Sequence, residues 1–512
     1  METKSQTRIC VPVCEKDVGA IGQAMASAAA DADLIEIRLD CLDPLKVEEA
    51  VEKTGELIAG SPRPTILTYR PAEQGGHRDL DTKSRLNFWL FRRRTTPAFY
   101  DLELDIAAHA ALFDHGKPLD WSRVICSHHD FQGLPPNLSQ IYERMTQTPA
   151  RILKIAVQAN DITDCLGLFS LLDKARADGR EMIAIAMGMA GFATRVLGPS
   201  RGAFLTYGSL QEERATAPGQ VTAAELRKLY RIEKISRQTL ITGLVGLPVG
   251  HSISPHVHNA GFEESGIDGV YLPFEVKDLG SFMRRMVHPR TREIDWNLRG
   301  LSVTAPHKNA VISFLDWVDP AAQKIGAVNT IVIDAGQLSG YNTDAGGFDK
   351  TLTDHLGELR GARCAVIGAG GGAQAVVYSL RQKQAHVTVF ARDVGKGKLL
   401  AERFGATCKT IGSERFAGFD VVVNATPLGT SGTQEKRAPA MAEQLAGARL
   451  AYDLVYNPRE TVFMREARAA GCDVIGGMEM LVAQAAEQFR LWTGVSAPED
   501  AMRSAAINAL KQ

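Results

Sequence analysis

The chain has 512 residues, of which 45% are hydrophobic and 23% charged, and its formal net charge is −1. This composition is typical of a globular protein with more than one core, and the balanced charge disfavours nucleic acid or an anionic membrane as a partner. We therefore expect two or three domains acting on small molecules, with no nucleic acid and no membrane among the partners, as a monomer or homodimer.

The features that indicate a cellular compartment favour the cytoplasm. No apolar run is long enough to span a bilayer, and the start METKSQTRICVPVC lacks the pattern of a secretory signal. Eight cysteines are scattered along the chain, and the closest pair, Cys10 and Cys14, has no histidine pair nearby. We expect reduced thiols packed as small apolar side chains rather than a disulfide framework, and we assign no metal site.

Eight strand-like runs alternate with helical stretches up to about residue 210. They are RICVPVC, LIEIRLD, PTILTYR, FYDLEL, RVICSHHD, RILKIAV, EMIAIAMG and FLTYGS. Their spacing is that of βα units, which predicts an α/β fold that begins with a (β/α)₈ TIM-like barrel. An open doubly wound sheet is the alternative, but closure removes the edge strands that an open sheet of eight would expose.

Polar side chains gather where the strands of this barrel end, which is where active sites of such barrels lie. They are Glu36, Arg38, Arg70, His129 and Arg195, together with Lys154 inside RILKIAV. A single buried lysine is commonly explained by an ion pair. Six such groups at one barrel mouth exceed what ion pairing needs. Burial and neighbouring guanidinium groups would favour the neutral lysine amine, which can attack a carbonyl.

These residues resemble type I 3-dehydroquinate dehydratase over about residues 8–230. The matching segments are EIRLD, TYRPAEQGG, SHHDF, LKIAV, GFATR and ATAPGQ. The resemblance implies that Lys154 forms a Schiff base with the substrate ketone and that His129 removes the neighbouring proton. The implied substrate-binding residues are Glu36, Arg38, Arg70, Arg195, Thr216 and Gln220. Gln74 departs from the family, in which a glutamate is frequent, and puts an acid role there in doubt.

A helical stretch, VTAAELRKLYRIEKISRQTL, precedes a domain joint near residues 232–239. The α/β pattern then restarts with LITGLVG, YLPFEV, GLSVTAP and NTIVI. We predict a two-lobed second half, consisting of a substrate-binding lobe and a Rossmann lobe. The predicted boundaries are 1–232, 239–345, 346–476 and 477–512, and the last segment is expected to return to the substrate-binding lobe.

CAVIGAGGGAQAVVYSL combines a strand, a glycine-rich turn and a helix start, so backbone amides can receive a pyrophosphate. The next strand, HVTVFARD, ends with Arg392, where an arginine accommodates the 2′-phosphate of NADP. Asp393 is an alternative, because a carboxylate at this point would bind the ribose of NAD. We expect NADP as the cofactor, supplied as NADPH.

The motifs SISP, SVTAPHK, AVNT, YNTD, NATPLG, YDLVYNP and GMEMLVAQAAEQF closely resemble shikimate dehydrogenase from about residue 240 onward. The resemblance implies that Lys308 and Asp344 form the catalytic pair. The implied substrate-binding residues are Ser252, Ser254, Thr304, Asn329, Tyr456 and Gln484. The implied cofactor-binding residues are Gly368, Gly370, Gly371, Gly372, Ala373, Arg392, Asn424, Thr426 and Gly477. For Asn424, Thr426 and Gly477 the alternative is a strand end and helix start shaped only for packing.

The two implied activities are consecutive, since one converts 3-dehydroquinate to 3-dehydroshikimate and the other reduces that product to shikimate. The resemblances therefore predict a bifunctional enzyme of the shikimate pathway. Three alternatives stay open: a quinate dehydrogenase in the second half, another Schiff-base aldolase chemistry in the first, and a degenerate barrel that acts as a scaffold.

Overall fold

The computed structural model describes residues 7–92, 96–113, 118–211, 215–412 and 414–511. The chain forms two compact units. One runs to Thr239 and includes Pro273–Met286 and Arg292–Asn297; the other comprises Leu240–Leu272, Val287–Thr291 and the chain from Leu298 onward. Among the described residues, no helix is both long enough and apolar enough to cross a membrane.

The first sheet contains eight strands, and each corresponds to one of the runs predicted from the sequence. They are β1 Ile9–Val13, β2 Leu34–Arg38, β3 Thr65–Thr68, β4 Phe99–Glu103, β5 Val124–Asp130, β6 Ile152–Gln158, β7 Glu181–Met187 and β8 Thr206–Tyr207. All neighbours are parallel, in the order β7-β6-β5-β4-β3-β2-β1-β8. A parallel bridge between Met182 and Ala203 joins β7 to the segment before β8. The predicted barrel is therefore confirmed.

The helices of this half follow the strands as a barrel requires. They are α1 Val18–Ala28, α2 Val47–Ala59, α3 Thr82–Arg92, α4 Leu104–Ala107, α5 Leu138–Thr146, α6 Cys165–Ala177, α7 Phe192–Leu197 and α8 Ala223–Lys228. Several begin at a side-chain cap. Asp17 accepts a hydrogen bond from the Ala20 N–H at the start of α1, and Thr222 and Glu225 form a capping box on α8.

A mixed sheet opens the second half. Its strands are β9 Leu240–Gly246, β10 Gly269–Glu275, β11 Leu298–Val303, β12 Trp317–Val318, β13 Thr330–Asp334 and β14 Gln337–Tyr341, in the order β10-β9-β11-β13-β14-β12. Its helices are α9 Ser254–Glu264, α10 Leu279–Phe282, α11 Pro320–Ile325 and α12 Thr343–Leu356. The sequence pattern gave β9, β10, β11 and β13 but missed the short β12 and the hairpin partner β14.

The third sheet is parallel throughout, in the order β17-β16-β15-β18-β19-β20. Its strands are β15 Arg363–Ile367, β16 His386–Ala391, β17 Thr407–Thr410, β18 Val421–Asn424, β19 Leu450–Asp453 and β20 Asp473–Ile475. The helices are α13 Gly371–Gln382, α14 Val394–Phe404, α15 Ala442–Leu445, α16 Val462–Ala469, α17 Gly477–Thr493 and α18 Glu499–Ala509. Buried clusters cover both faces, as in a Rossmann fold. The terminal helices pack back on earlier ones, α17 on α12 and α18 on α9.

One prediction about the cysteines is wrong. Cys14 and Cys41 form a disulfide, although they lie 27 residues apart in the sequence. The reason is topological: Cys14 follows β1, Cys41 closes the turn after β2, and these strands are neighbours in the barrel. Six other cysteines are free thiols, five of them buried, as the sequence predicted.

Two candidate active sites

Lys154 lies inside the barrel on β6 and is almost fully buried. Its Nζ is 2.8 Å from Oδ2 of Asp101 and 3.9 Å from Oε1 of Glu36. The ammonium also donates a hydrogen bond to the Tyr207 hydroxyl, at 2.9 Å. The sequence analysis named guanidinium groups as the neighbours that would favour a neutral amine, whereas the charged groups that pair directly with Lys154 Nζ are carboxylates.

Asp101 was missed by the sequence analysis, although it holds the site together. Its carboxylate lies 2.7 Å from a guanidinium nitrogen of Arg70 and also accepts a hydrogen bond from Ser127 at 2.5 Å. Burial alone would raise the pKa of Asp101, but the Arg70 and Lys154 cations hold it well below its usual range. The buried carboxylate therefore fixes two cations at the barrel mouth.

His129 faces the same cavity from β5, which pairs with β6, the strand that carries Lys154. The register pairs Ser127 with Lys154, so His129 lies two residues further along the same face. Burial, reinforced by the Arg70 and Lys154 cations, holds the pKa of His129 well below its usual range. Its Nδ1 is buried and, among the described residues, has no hydrogen-bond partner. A neutral imidazole with a free nitrogen can accept a proton.

Gln74 reaches this histidine from the turn after β3. Its side-chain oxygen accepts a hydrogen bond from the His129 backbone N–H at 3.2 Å. The residue that departs from the family pattern therefore lies beside the candidate base as a neutral amide.

Arg195 is buried with no carboxylate partner within the part of the chain that the structure describes. Its guanidinium donates only two long hydrogen bonds, to the carbonyls of Tyr207 at 3.3 Å and Pro218 at 3.4 Å. Burial lowers its pKa to about 10. A buried cation without an acid nearby is ready to receive an anionic ligand.

Two further carboxylates support the arginines of this site. Asp40 accepts hydrogen bonds from Arg38 at 2.9 and 2.7 Å, and from the backbone N–H groups of Arg70 and His77 at 3.3 Å each. Glu103 lies 3.8 Å from Arg70, and burial raises the pKa of this carboxyl group to about 7. Thus Asp40, in the turn directly after β2, ties the turns after β2 and β3 together.

The barrel cavity collects every site residue predicted for the first half. Its predicted lining residues are Glu36, Arg38, Arg70, His129, Lys154, Arg195, Thr216 and Gln220. Gln74, Phe131 and Tyr207 also line it. The Gln220 side-chain oxygen accepts a hydrogen bond from the Thr216 N–H at 2.8 Å, which closes the loop over the cavity.

The second half has a separate cavity of about 680 Å³. Lys308 and Asp344 meet in it, with Lys308 Nζ 2.5 Å from Asp344 Oδ2. The other carboxylate oxygen accepts a hydrogen bond from the Asn329 amide at 2.8 Å. Asp344 lies in the first turn of α12, where the helix dipole favours a negative charge. The aspartate is thus held from two sides and in turn fixes the lysine.

The remaining predicted substrate residues line the same cavity. They are Ser252, Ser254, Thr304, Asn329, Tyr456 and Gln484. Ser252 donates a hydrogen bond to the Ser254 hydroxyl at 3.1 Å, and burial raises the pKa of Tyr456. The sequence analysis missed Gln488, which accepts a hydrogen bond from Ser302 at 2.8 Å and donates one to Thr330 at 3.0 Å. Gln488 thus braces the strands behind the cavity.

The glycine-rich turn after β15 presents bare backbone at the start of α13. A Cβ at Gly370 would meet no atom within 4 Å, and one at Gly371 would lie 3.4 Å from the Lys308 side chain. Gly368 has φ +123°, and a Cβ there would lie 2.7 Å from the Ala425 carbonyl. This open cradle at a helix N-terminus fits a dinucleotide pyrophosphate next to the candidate catalytic lysine.

The turn after β16 carries both residues that could select the cofactor, Arg392 for the 2′-phosphate of NADP and Asp393 for the ribose of NAD. Asp393 is the N-cap of α14, and its side chain accepts a hydrogen bond from the Lys396 N–H at 3.1 Å. Arg392 is exposed at the carboxyl end of β16, beside the glycine turn of β15. Since Asp393 is engaged by its own helix, Arg392 is the group that remains for a ligand.

Two of the predicted cofactor-binding residues, Asn424 and Ala373, have buried side chains that contact other parts of the protein. Asn424 is fully buried and holds its own turn, because its amide donates to Asp453 and to the Leu428 carbonyl and accepts from Thr426. These bonds fit the alternative of a turn shaped for packing, and the expected contact of Asn424 with the cofactor stays a prediction. Ala373 packs into the buried core beneath α13. Gly372, Thr426 and Gly477 do line the cavity.

Family models cover most of the chain. Type I 3-dehydroquinase matches residues 9–237, and the shikimate dehydrogenase substrate binding domain matches 244–331. Shikimate / quinate 5-dehydrogenase matches 350–462, and the shikimate 5′-dehydrogenase C-terminal domain matches 477–507.

Individual relatives cover one half or both. A chloroplastic bifunctional 3-dehydroquinate dehydratase/shikimate dehydrogenase of Arabidopsis thaliana is 34% identical over 97% of this chain and 84% of its own. A shikimate dehydrogenase (NADP(+)) of Oleidesulfovibrio alaskensis is 42% identical over 54% of this chain and 98% of its own. A crystal structure of a shikimate dehydrogenase in complex with NADP+ matches 54% of this chain and 96% of that chain, with 34% identity and a TM-score of 0.50.

Proposed function

This chain belongs to the family of bifunctional 3-dehydroquinate dehydratase/shikimate dehydrogenases, and we propose that it catalyses both reactions, one in each cavity. It dehydrates 3-dehydroquinate to 3-dehydroshikimate and then reduces that product to shikimate with NADPH. The observation that carries the proposal is that each half has its own cavity lined by a lysine that an aspartate holds, Lys154 buried and Lys308 partly buried.

For the dehydration, we propose that the Lys154 amine attacks the substrate ketone and that loss of water gives an iminium. The iminium withdraws electrons from the neighbouring carbon, and neutral His129 takes the proton there. The substrate hydroxyl then leaves as a second water, and hydrolysis of the iminium consumes one water and releases Lys154. The net change is the loss of one water. Burial and the neighbouring cations, which hold the pKa of His129 below its usual range, favour the neutral imidazole that can accept this proton.

The substrate carboxylate binds to Arg195 in this proposal. The absence of an acid partner for Arg195 among the described residues supports that role, since a substrate anion would supply the missing charge. Gln220 and Thr216 line the cavity beside it, and Glu36, Arg38 and Arg70 would hold the ring hydroxyls.

For the reduction, NADPH supplies a hydride to the substrate ketone when it is bound. Gly370 and Gly371 would hold its pyrophosphate, and Arg392 its 2′-phosphate. Lys308 donates a proton to the developing alkoxide, and Asp344 holds the lysine in place. Ser252, Ser254 and Tyr456 would bind the carboxylate, while Thr304, Asn329 and Gln484 would meet the hydroxyls.

A coupled assay tests both halves. The full chain, given 3-dehydroquinate and NADPH, should produce shikimate with oxidation of one NADPH per substrate. Lys154→Ala should abolish dehydration but retain reduction of 3-dehydroshikimate, and Lys308→Ala should do the reverse. The exposed, ion-paired Lys174 and Lys350 provide matched alanine controls that should retain both activities. A folded wild-type chain without turnover would refute the proposal.

Two further measurements address the alternatives. Borohydride added with 3-dehydroquinate should attach substrate mass to Lys154, whereas a scaffold barrel would gain none. Oxidation of shikimate by NADP+ should exceed oxidation of quinate, and a preference for quinate would reassign the second half.

A further inference from the structure

A second cluster of reactive side chains lies at the barrel mouth, outside the dehydratase cavity. It consists of Cys14, Cys41 and His77, contributed by the turns after β1, β2 and β3. The His77 Nε2 is 3.6 Å from the Cys14 Sγ, and the three potential ligand atoms all lie within 4.8 Å of one another. Neither catalytic proposal uses these residues.

The separation of these atoms matches a known coordination geometry. In a tetrahedral zinc site with bonds of about 2.3 Å to sulfur and about 2.05 Å to nitrogen, the sulfur and nitrogen lie about 3.6 Å apart. The two sulfurs of such a site lie about 3.8 Å apart, so the disulfide must first be reduced. Cysteine thiolates and imidazole are also the ligands that zinc prefers.

The turn that carries His77 is constrained. Gly75 has φ +80°, and a Cβ at Gly76 would lie 2.0 Å from the Arg70 carbonyl oxygen, so the chain has little choice of path. The His77 N–H donates a hydrogen bond to Asp40, the residue directly before Cys41. The backbone that carries the imidazole is therefore held next to the turn of Cys41.

The cluster is also accessible to an ion. Both cysteines are only partly buried, and His77 is exposed. A cavity of about 340 Å³, lined among others by Cys14, Glu15, His77 and Thr216, opens beside it. This space accommodates an entering ion and a water molecule in the fourth position.

We propose that Cys14, Cys41 and His77 bind one zinc-type divalent cation when the disulfide is reduced, so that the disulfide and the metal are alternative states of one site. Reduction by an added phosphine and one water gives two thiols and the phosphine oxide. Binding of the cation then releases two protons, because both thiols bind as thiolates. Either state ties together the turns after β1 and β2, and the metal adds the turn after β3.

Zinc titration of the full chain tests this proposal. The protein is reduced with the phosphine, stripped of metal, and titrated with Zn²⁺ in competition with a chromogenic chelator. One tight Zn²⁺ per chain is expected, with protection of Cys14 and Cys41 from alkylation measured by mass spectrometry. Protein left oxidised should bind none at this site, and equal binding by oxidised and reduced protein would contradict the proposal.

Variants separate the ligands from the fold. Cys14→Ser with Cys41→Ser should remove the tight site, and His77→Ala should weaken it at least about tenfold. Cys408→Ser, at a partly exposed free thiol, and His386→Ala, at an exposed histidine, should bind zinc as the wild type does. Circular dichroism checks that each variant is folded. If the reduced wild type binds no more zinc than the double serine variant, no metal site exists. If His77→Ala binds as tightly as the wild type, the imidazole is not a ligand.

Discussion

Replacement of Arg195 by methionine should stabilise the free protein and strongly lower dehydratase activity. Burial lowers the pKa of Arg195 from 12.5 to about 10. At 1.36 kcal/mol per pKa unit, keeping this guanidinium charged inside the barrel costs about 3 kcal/mol. The sign follows from linkage: the folded protein binds the proton less tightly than the unfolded chain, so the charged group lowers the free energy of unfolding at neutral pH.

Methionine fills a similar volume without the charge, so the Arg195→Met variant should recover about 1–3 kcal/mol of this cost. The lower figure allows for the two hydrogen bonds to backbone carbonyls that are lost. At about 2–4 °C per kcal/mol for a domain of this size, the thermal midpoint should rise by several degrees. Loss of a buried contact to the substrate carboxylate should lower kcat/KM for 3-dehydroquinate by about 30-fold to several thousand-fold.

The assay pairs differential scanning calorimetry with dehydratase kinetics, and reduction of 3-dehydroshikimate serves as the internal control because it should be unchanged. Arg201 provides the matched variant. It is also buried, but it pairs with Asp173 at 3.4 Å, donates a hydrogen bond to the Asp295 carbonyl and lies over the Phe169 ring. Arg201→Met removes all three contacts and should therefore lower the midpoint. A lower midpoint for Arg195→Met, or retention of wild-type kcat/KM, would refute the reasoning.

Three further predictions follow from the two sites. Asp101→Asn removes the carboxylate that pairs at 2.7–2.8 Å with two buried cations, and should lower the free energy of unfolding by about 3–5 kcal/mol in urea denaturation, with loss of dehydration; wild-type stability would contradict the ion-pair assignment. Gln74→Glu places a carboxylate beside His129 and should raise its pKa, which moves the acidic limb of the kcat/KM profile to higher pH; an unmoved limb would argue against His129 as the base. Arg392→Ala should raise the KM for NADPH about tenfold and leave the KM for NADH unchanged. Asp393→Ala should lower the free energy of unfolding by about 1 kcal/mol, because the helix cap is lost, and should leave the preference for NADPH intact.

The sequence pattern was sufficient for most of the architecture. Buried parallel strands are continuous apolar runs, so all eight barrel strands were visible from runs such as RILKIAV and EMIAIAMG. Polar residues at strand ends identified the barrel mouth, because the carboxyl ends of parallel strands share one rim. Strands of only a few residues, such as β12 with two, have too little periodicity to be recognised.

What the sequence missed depends on contacts between distant segments. Asp101 lies in FYDLEL, where an acid within an apolar strand was the available signal, yet only its meeting with Lys154 gives it meaning. The disulfide between Cys14 and Cys41 follows from the adjacency of two strands and not from spacing. For Asn424 the motif left a cofactor contact and a packing role open, and only the structure shows the hydrogen bonds of its side chain to Asp453 and Thr426. A motif identifies such residues but does not show which way they point.

The hydrogen bonds to Asp40 have a consequence for how this barrel can change during evolution. One carboxylate accepts from the Arg38 side chain and from backbone N–H groups of two residues, Arg70 and His77, that enclose the next turn. An inserted or deleted residue between Arg70 and His77 would break at least one of these contacts and displace Arg38 along with it. The lengths of the turns after β2 and β3 are therefore coupled through one side chain, so that a change in one turn calls for a compensating change in the other.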